Sequence, residues 1–355
     1  MSIEINASKG IRQNTTEVTK IPVGTTAQRP ASPQAGMIRF NTDEGQVEGF
    51  DGADWVGFGA QFDPIVATGG TITDITENGI NYRVHTFTSN GTFEVTSAGS
   101  APEGFRNTVE YLVVAGGGGG SGRSGGGAGA GGLVFRQDQT VAITTYPVTI
   151  GGGGDGSPSN ASGSFGTKGS DSTGFGVTAL GGGTSTNNED PGSAQTNGGS
   201  GGGARGGSAG LGLQPGSASG GFGNRGGNPS GSSDSVGGGG GADAVGGERD
   251  GSRAGNGGAG RDLSAFFGTS VGDNGVFAGG GGGGGGLNDT SLGGFGGAGG
   301  GGKGQDMTQA ARAEAGQPGT GGGGGGGRFD GTSAGGSGGG GAGGSGIVIV
   351  RYRIG

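Results

Sequence analysis

Cysteine is absent from the 355 residues, histidine occurs once, and proline only 11 times. Without cysteine, disulfides and zinc–thiolate sites cannot form, and cytoplasmic synthesis is the simplest reading. Hydrophobic residues make up 28% of the chain, against about 40% in an average globular sequence once glycine is set aside. An apolar core therefore cannot hold most of this molecule. No window carries about 18 apolar residues free of charge, which excludes a membrane-spanning helix. The first ten residues, MSIEINASKG, lack the apolar centre of a secretion signal. Positive charge is also scarce, 20 Lys and Arg against 28 Asp and Glu for a net −8, and that balance argues against nucleic acid as a partner.

What is abundant is glycine, and it is unevenly placed. Of 108 glycines, 14 lie in residues 1–110 and the other 94 (108 − 14) in residues 111–355. Collagen is excluded, because it needs glycine at every third position with abundant proline between, whereas here glycines run consecutively. The chain changes physical character near Ala115.

Before that point the pattern is β. Residues 1–20 show little periodicity and are expected to be disordered unless something larger holds them. Residues 37–41, 46–50 and 55–58 alternate with turn residues and predict a three-stranded meander, too small to bury Trp55 alone. It is expected to oligomerise or lean on a neighbour. Residues 82–88 and 92–96 around Ser89-Asn90-Gly91 predict a hairpin, followed by a strand over 108–115. At the far end IVIVRYR, residues 347–353, reads as an equally strong strand. The two strands bracket the glycine region, and their pairing would close one β domain around a long insert. Within the insert, residues 133–136, 141–150 and 175–180 read as further strands. Beyond them glycine tracts (201–203, 237–241, 279–286, 299–302, 321–327, 338–341) alternate with irregular polar segments.

Two states compete for such tracts. A flexible coil is the default for Gly/Ser-rich sequence, because glycine loses more backbone entropy on ordering than any other residue. The alternative is polyglycine II, a left-handed helix of three residues per turn and about 3.1 Å rise, whose peptide groups bond sideways to neighbouring helices. Tracts of eight or nine residues would span about 25–28 Å and stack as a slab with the intervening segments as end loops. Phenylalanines set between the tracts, and a strand directly after the last one, favour order.

Chemical motifs are thin. His85 shares a strand face with Arg83 and Phe87 and reads as a packing histidine; no Gly-x-Ser-x-Gly elbow stands between a strand and a helix. Gly-x-Gly-x-x-G matches are expected by chance in so much glycine, and one calcium-type nonapeptide at residues 238–246 is a single copy of a site built between repeats. No catalytic residue, cofactor or metal is expected. Binding surfaces favour aromatics on loops of a rigid scaffold, which makes Phe222, Phe266, Phe267, Phe277 and Phe329 the contact candidates; each reads equally as a plug sealing the slab's edge.

The stretch IPVGTTAQRPASPQAGMIRFNTDEGQVEGFDGADWVGFG resembles a short module of bacteriophage structural proteins, especially tail and head fibres. HTFTSNGTFEVTS, VEYLVVAGGGGGSG, YPVTIGGGG, FGVTALGGG and GGSGIVIVRYRIG resemble the glycine-rich domain of phage tail-fibre proteins and adhesins. The resemblance implies a non-enzymatic virion fibre, a homotrimer whose polyglycine II sandwich shows variable loops to a host surface receptor. Unlike the related distal adhesins, this chain carries the amino-terminal fibre module and a closing carboxy-terminal strand. The expected organisation is all-β: a virion-attachment tail over residues 1–20, with Ile3, Ile5 and Ile11 as contacts; a β-meander module over 21–60; a β domain over 61–115; a polyglycine II insert over 116–346; and a closing strand over 347–355. A virion decoration or spacer without recognition is the alternative, and an ice-binding or matrix slab a third.

Overall fold

The computed structural model describes residues 4–6, 10–12, 20–58, 62–100, 108–159, 161, 163–187, 192–214, 220–229, 236–286, 292–307, 312–329 and 338–355. The chain forms two units, Met1–Asp63 with Ser100–Arg106, and Pro64–Gly99 with Asn107–Gly355. The first unit thus takes in a piece from inside the expected 61–115 domain, through the mutual backbone bonds of Asp63 and Ser100.

In the first unit, Glu4–Asn6 pairs antiparallel with Gly10–Arg12, Ile5 opposite Ile11, although this stretch carries little periodicity; Ile3 lies outside the described residues. The expected meander is present as Ile38–Asn41, Gln46–Phe50 and Trp55–Gly57. A fourth strand, Val23–Gly24, adds in parallel beside Ile38–Asn41; two residues are too few to show a period. One face of this sheet encloses a polar cluster beside the aromatic pair Phe50 and Trp55. Glu48 is buried and takes hydrogen bonds from Arg29 Nε (3.1 Å) and from Asn41 Nδ2 (3.0 Å), with Arg39 Nε 3.3 Å away. The hydrogen bond from Arg29, ahead of all other causes, holds the Glu48 carboxyl below its ordinary range.

The second unit is organised by a five-stranded antiparallel sheet in the order Leu133–Gln139, Val109–Val114, Ile347–Arg353, Ile80–Phe87, Thr71–Glu77. Val109–Val114 and Ile347–Arg353 pair directly, Val109 opposite Tyr352 and Val114 opposite Ile347. These two strands are apolar without alternation because both of their faces are covered, the usual reason for continuous hydrophobic runs. On one side Tyr111, Val113, Val348 and Val350 pack with Phe93, Val95 and Val148. On the other, Leu112, Val114, Ile347 and Ile349 pack with Leu263, Phe267 and Phe277.

The hairpin expected across Ser89-Asn90-Gly91 is not formed. Ile80–Phe87 stays in the five-stranded sheet, and Gly91–Ser97 crosses to a second sheet between Thr145–Val148 and Val66–Thr68. The turn is a corner between layers, since both edges of Ile80–Phe87 are already taken, by Thr71–Glu77 and by Ile347–Arg353. His85 lies enclosed between the layers, Nδ1 donating to the Gly69 carbonyl (2.7 Å) and Nε2 accepting from the Tyr352 hydroxyl (3.1 Å). Burial pushes its pKa below 6.5.

Beyond the sheets the glycine tracts pack side by side with a strict stride of three. In the tract 125–132, Gly126, Gly129 and Gly132 donate to Thr186, Gly183 and Leu180; Gly127 and Ala130 donate to Gly237 and Gly240; Gly125, Ala128 and Gly131 donate to Gly327, Gly324 and Gly321. Every third peptide meets the same neighbour, as a helix of three residues per turn requires. The neighbour's numbers fall by three in the first and third cases and rise by three in the second, so antiparallel and parallel contacts mix. The carbonyls of the same tract accept in the same rotation from three further tracts: Gly284 and Gly281 bond Gly125 and Ala128, Gly203 and Ser200 bond Gly127 and Ala130, and Gly118 bonds Gly129. The surroundings are hexagonal, with peptide groups as the filling.

Glycine is needed here for space rather than for unusual torsions. None of residues 116–120 or 237–241 has a positive φ, yet a Cβ on Gly127 would lie 2.0 Å from the Gly281 carbonyl oxygen and one on Gly118 2.2 Å from that of Gly183. Tracts at the surface escape this constraint on one side. Leu292, Phe295 and Ala298 are all exposed, as are Gly152, Asp155 and Pro158, each set three residues apart. The unbroken glycine runs 116–120, 237–241, 279–286 and 321–327 lie inside.

Gly127→Ala should therefore destabilise the second unit by about 1–3 kcal/mol, the range for overpacking, because backbone atoms cannot step aside. Gly152→Ala, with open space around its Cβ, should be neutral or stabilise by about 0.4–1 kcal/mol. Thermal denaturation of the two variants checks the contrast. Because the folded state binds a proton at His85 only below the unfolded value of 6.5, stability should be complete above that pH and fall as pH drops through it towards the folded value. His85→Gln should flatten the slope of Tm against pH between about 7 and 5.

Candidate functional site

The glycine bundle has two distinct ends. Strands deliver the chain to one of them: Val114 leads into the tract 115–121, the tract 125–132 leads out into Leu133–Gln139, and Gly346 leads into Ile347–Arg353. At the opposite end the chain turns back at residues 121–125, 157–164 and 205–209, and leaves the described residues at 187, 229, 286, 307 and 329 to re-enter at 192, 236, 292, 312 and 338. Residues 188–191, 230–235, 287–291, 308–311 and 330–337, which the sequence reading counted among the variable loops, lie outside the described residues.

The five phenylalanines expected at contact loops divide between the two ends. Phe267 and Phe277 are fully buried under the five-stranded sheet with Leu263 and Ala278. Their burial corrects the reading of them as contact residues, for neither offers a surface to a partner. Phe222 and Phe266 are half-buried against the same cluster; Phe266 meets Phe135 edge-on at 4.9 Å, and Phe222 bridges to Leu133. These four fit the plug alternative, at the strand-bearing end. Their spacing between glycine tracts cannot reveal this, because a residue leaving a tract can serve either end.

Arg351 fixes that end to the sheet. It lies 4.3 Å over Tyr82 and 5.0 Å from Phe266, pairs with Glu77 at 2.6 Å and with Glu110, and donates to the Phe266 carbonyl. Such a charge-assisted network holds the short helix Ser264–Phe267 against the strands.

Phe329 alone of the five lies at the opposite end, half-buried, with the Arg123 guanidinium 5.2 Å from its ring centre. Other arginines there satisfy carbonyls that have run out of lateral partners. Arg205 Nη1 donates to the Arg123 carbonyl (2.7 Å), Arg312 to the carbonyls of Ser157 and Gly340, and Arg328 to that of Met307. Ser121 and Ser124 cap in the same way, donating to Ser185 and Gly285 (2.8 Å for the latter). The end is thus a rigid rim of side chains locked onto backbone.

Phe295, one of the phenylalanines between the tracts but not among the five contact candidates, is 53% exposed, with Arg253 stacked 4.1 Å from its ring centre and Asn256 accepting its backbone N–H. The signal was available in the stride of three, Leu292, Phe295 and Ala298, which marks an outward row on a surface tract. The nonapeptide at 238–246 begins in an interior tract, where Gly238, Gly239 and Gly240 donate to Gly247, Gly281 and Gly201, and its Asp243 pairs at the surface with Arg261 at 2.7 Å. Among the described residues no three His, Cys, Asp or Glu side chains converge on a point.

No curated protein is similar enough to the chain to be matched. A family model described as a glycine-rich domain matches residues 86–353, from the strand that carries His85 to the last residue of the closing strand. With well over half its length inside that match, the chain belongs to the glycine-rich domain family.

Proposed function

We propose that the chain is a virion fibre protein of the bacteriophage tail-fibre and adhesin kind, which presents the turns at the strand-free end of its glycine bundle to a host surface receptor. The observation that carries this reading is that a laterally bonded bundle is seated on a sheet at one end, while at the other its turns at residues 121–125 and 205–209 stand clear of the described strands. Loops on a stiff scaffold lose little entropy on binding and vary in sequence without disturbing what holds them. Residues 1–20, with Ile3, Ile5 and Ile11, attach the protein to the particle. The chain works as a homotrimer, so that linked weak contacts multiply, and takes no nucleic acid, cofactor or catalytic role. Among the described residues no helix is long and apolar enough to cross a membrane.

Exchanging residues 184–337 between related phages should carry host range with it; a fibre that keeps the recipient's host range after the exchange is a spacer, not an adhesin. Phe329→Ala should weaken adsorption to host cells by about 5- to 30-fold, the scale of an aromatic hot spot. Phe267→Ala should instead lower thermal stability by about 3–5 kcal/mol, with any loss of adsorption tracking unfolding.

A further inference from the structure

The small sheet of the first unit buries charge on one face and leaves an uncharged face open. Strand register and alternation place Val23, Ile38, Phe40, Val47, Gly49, Val56 and Phe58 on one face, and Arg39, Asn41, Glu48, Phe50 and Trp55 on the other. The charged face is the enclosed one. The apolar face stands open: Val23 is 54% exposed, Ile38 48%, Val56 47% and Phe58 60%. The Phe58 ring reaches over Gly49, where a Cβ would come within 2.4 Å of its Cζ, so only glycine leaves room for it. A groove of about 610 Å³ lies at the edge of the sheet, where Val23 and Ile38 of this face meet Gln28, Arg39 and Trp55 of the other.

We propose that this face is the surface through which copies of the chain associate. A small unit buries a smaller share of its surface than a large one, and the sheet leaves four large apolar side chains of one face open. The seven residues of the face carry no charge, so nothing on it selects an unlike partner by electrostatic complementarity. A contact between identical copies needs only a surface that fits around a symmetry axis. Four exposed side chains and two half-buried ones amount to a few hundred Å², below the roughly 800 Å² per partner of a standard interface. An area of that size suits a contact repeated among several copies around an axis better than an isolated pair.

The inference rests on the oligomeric part of the proposed function, and the two can fail separately. Because the full chain has no cysteine, Ile38→Cys and Val56→Cys each introduce one thiol. Mild oxidation should join most of either variant into covalent dimers, while Ile143→Cys, at a 66% exposed position on the second unit, should show only background. Val56→Glu should reduce the mass measured by light scattering from a multiple of 33.2 kDa to that value, with amide protection of residues 116–120 unchanged. A parent chain that is itself monomeric would overturn both the oligomer and the face. An oligomer whose mass survives Val56→Glu, and whose Ile38→Cys form crosslinks no more than Ile143→Cys, overturns the face and leaves the fibre reading intact.

Discussion

The second unit depends on one interaction, the sideways hydrogen bond between peptide groups of neighbouring glycine tracts. Ordering a residue costs about 1–2 kcal/mol, and a net hydrogen bond returns about 1 kcal/mol. A lone pair of tracts would therefore stay unfolded. What changes the balance is that most interior peptides both donate and accept, in rotation, so a tract such as 125–132 is held by several neighbours at once. Close approach also brings Cα–H groups against carbonyls, a weaker contribution repeated at every step. The constraint this imposes is severe at interior positions, where even one methyl group has no room.

Such a lattice needs a seed, and the five-stranded sheet is suited to the role. Its two central strands join the beginning and end of the glycine region, so the loop entropy of the insert is confined at both ends before any tract packs. The cluster of Phe267, Phe277 and Leu263 then supplies the apolar burial that the tracts lack, and Arg351 locks it to the strands. Side chains serve the bundle mainly at its two ends: a hydrophobic seat at one, and hydrogen-bonding arginines and serines over unpaired carbonyls at the other.

Much of this was legible in the sequence, because the relevant signals are local. Turn residues between short apolar stretches marked the meander, and the unalternating IVIV and YLVV runs marked strands covered on both faces. The corner at Ser89-Asn90-Gly91 was not legible, since the same turn serves a hairpin or a change of sheet and only distant partners decide. Nor was the fate of the phenylalanines: the buried Phe277 and the half-buried Phe329 both follow or precede glycine runs, and what separates them is which end of the bundle they reach. Phe295 was within reach, because a row of three side chains three residues apart is as much a signature of a surface tract as four apart is of a helix.

An interior made of amides has a thermal consequence. Exposing apolar surface on unfolding raises heat capacity by about 0.45 cal/K/mol/Å², whereas exposing polar surface lowers it by about 0.26. A bundle that hides peptides in place of hydrocarbon has terms of opposite sign that nearly cancel, so its free energy bends little with temperature. The curve flattens towards a straight line, and the loss of stability that chills an ordinary oil-filled domain has little to act on between residues 116 and 346.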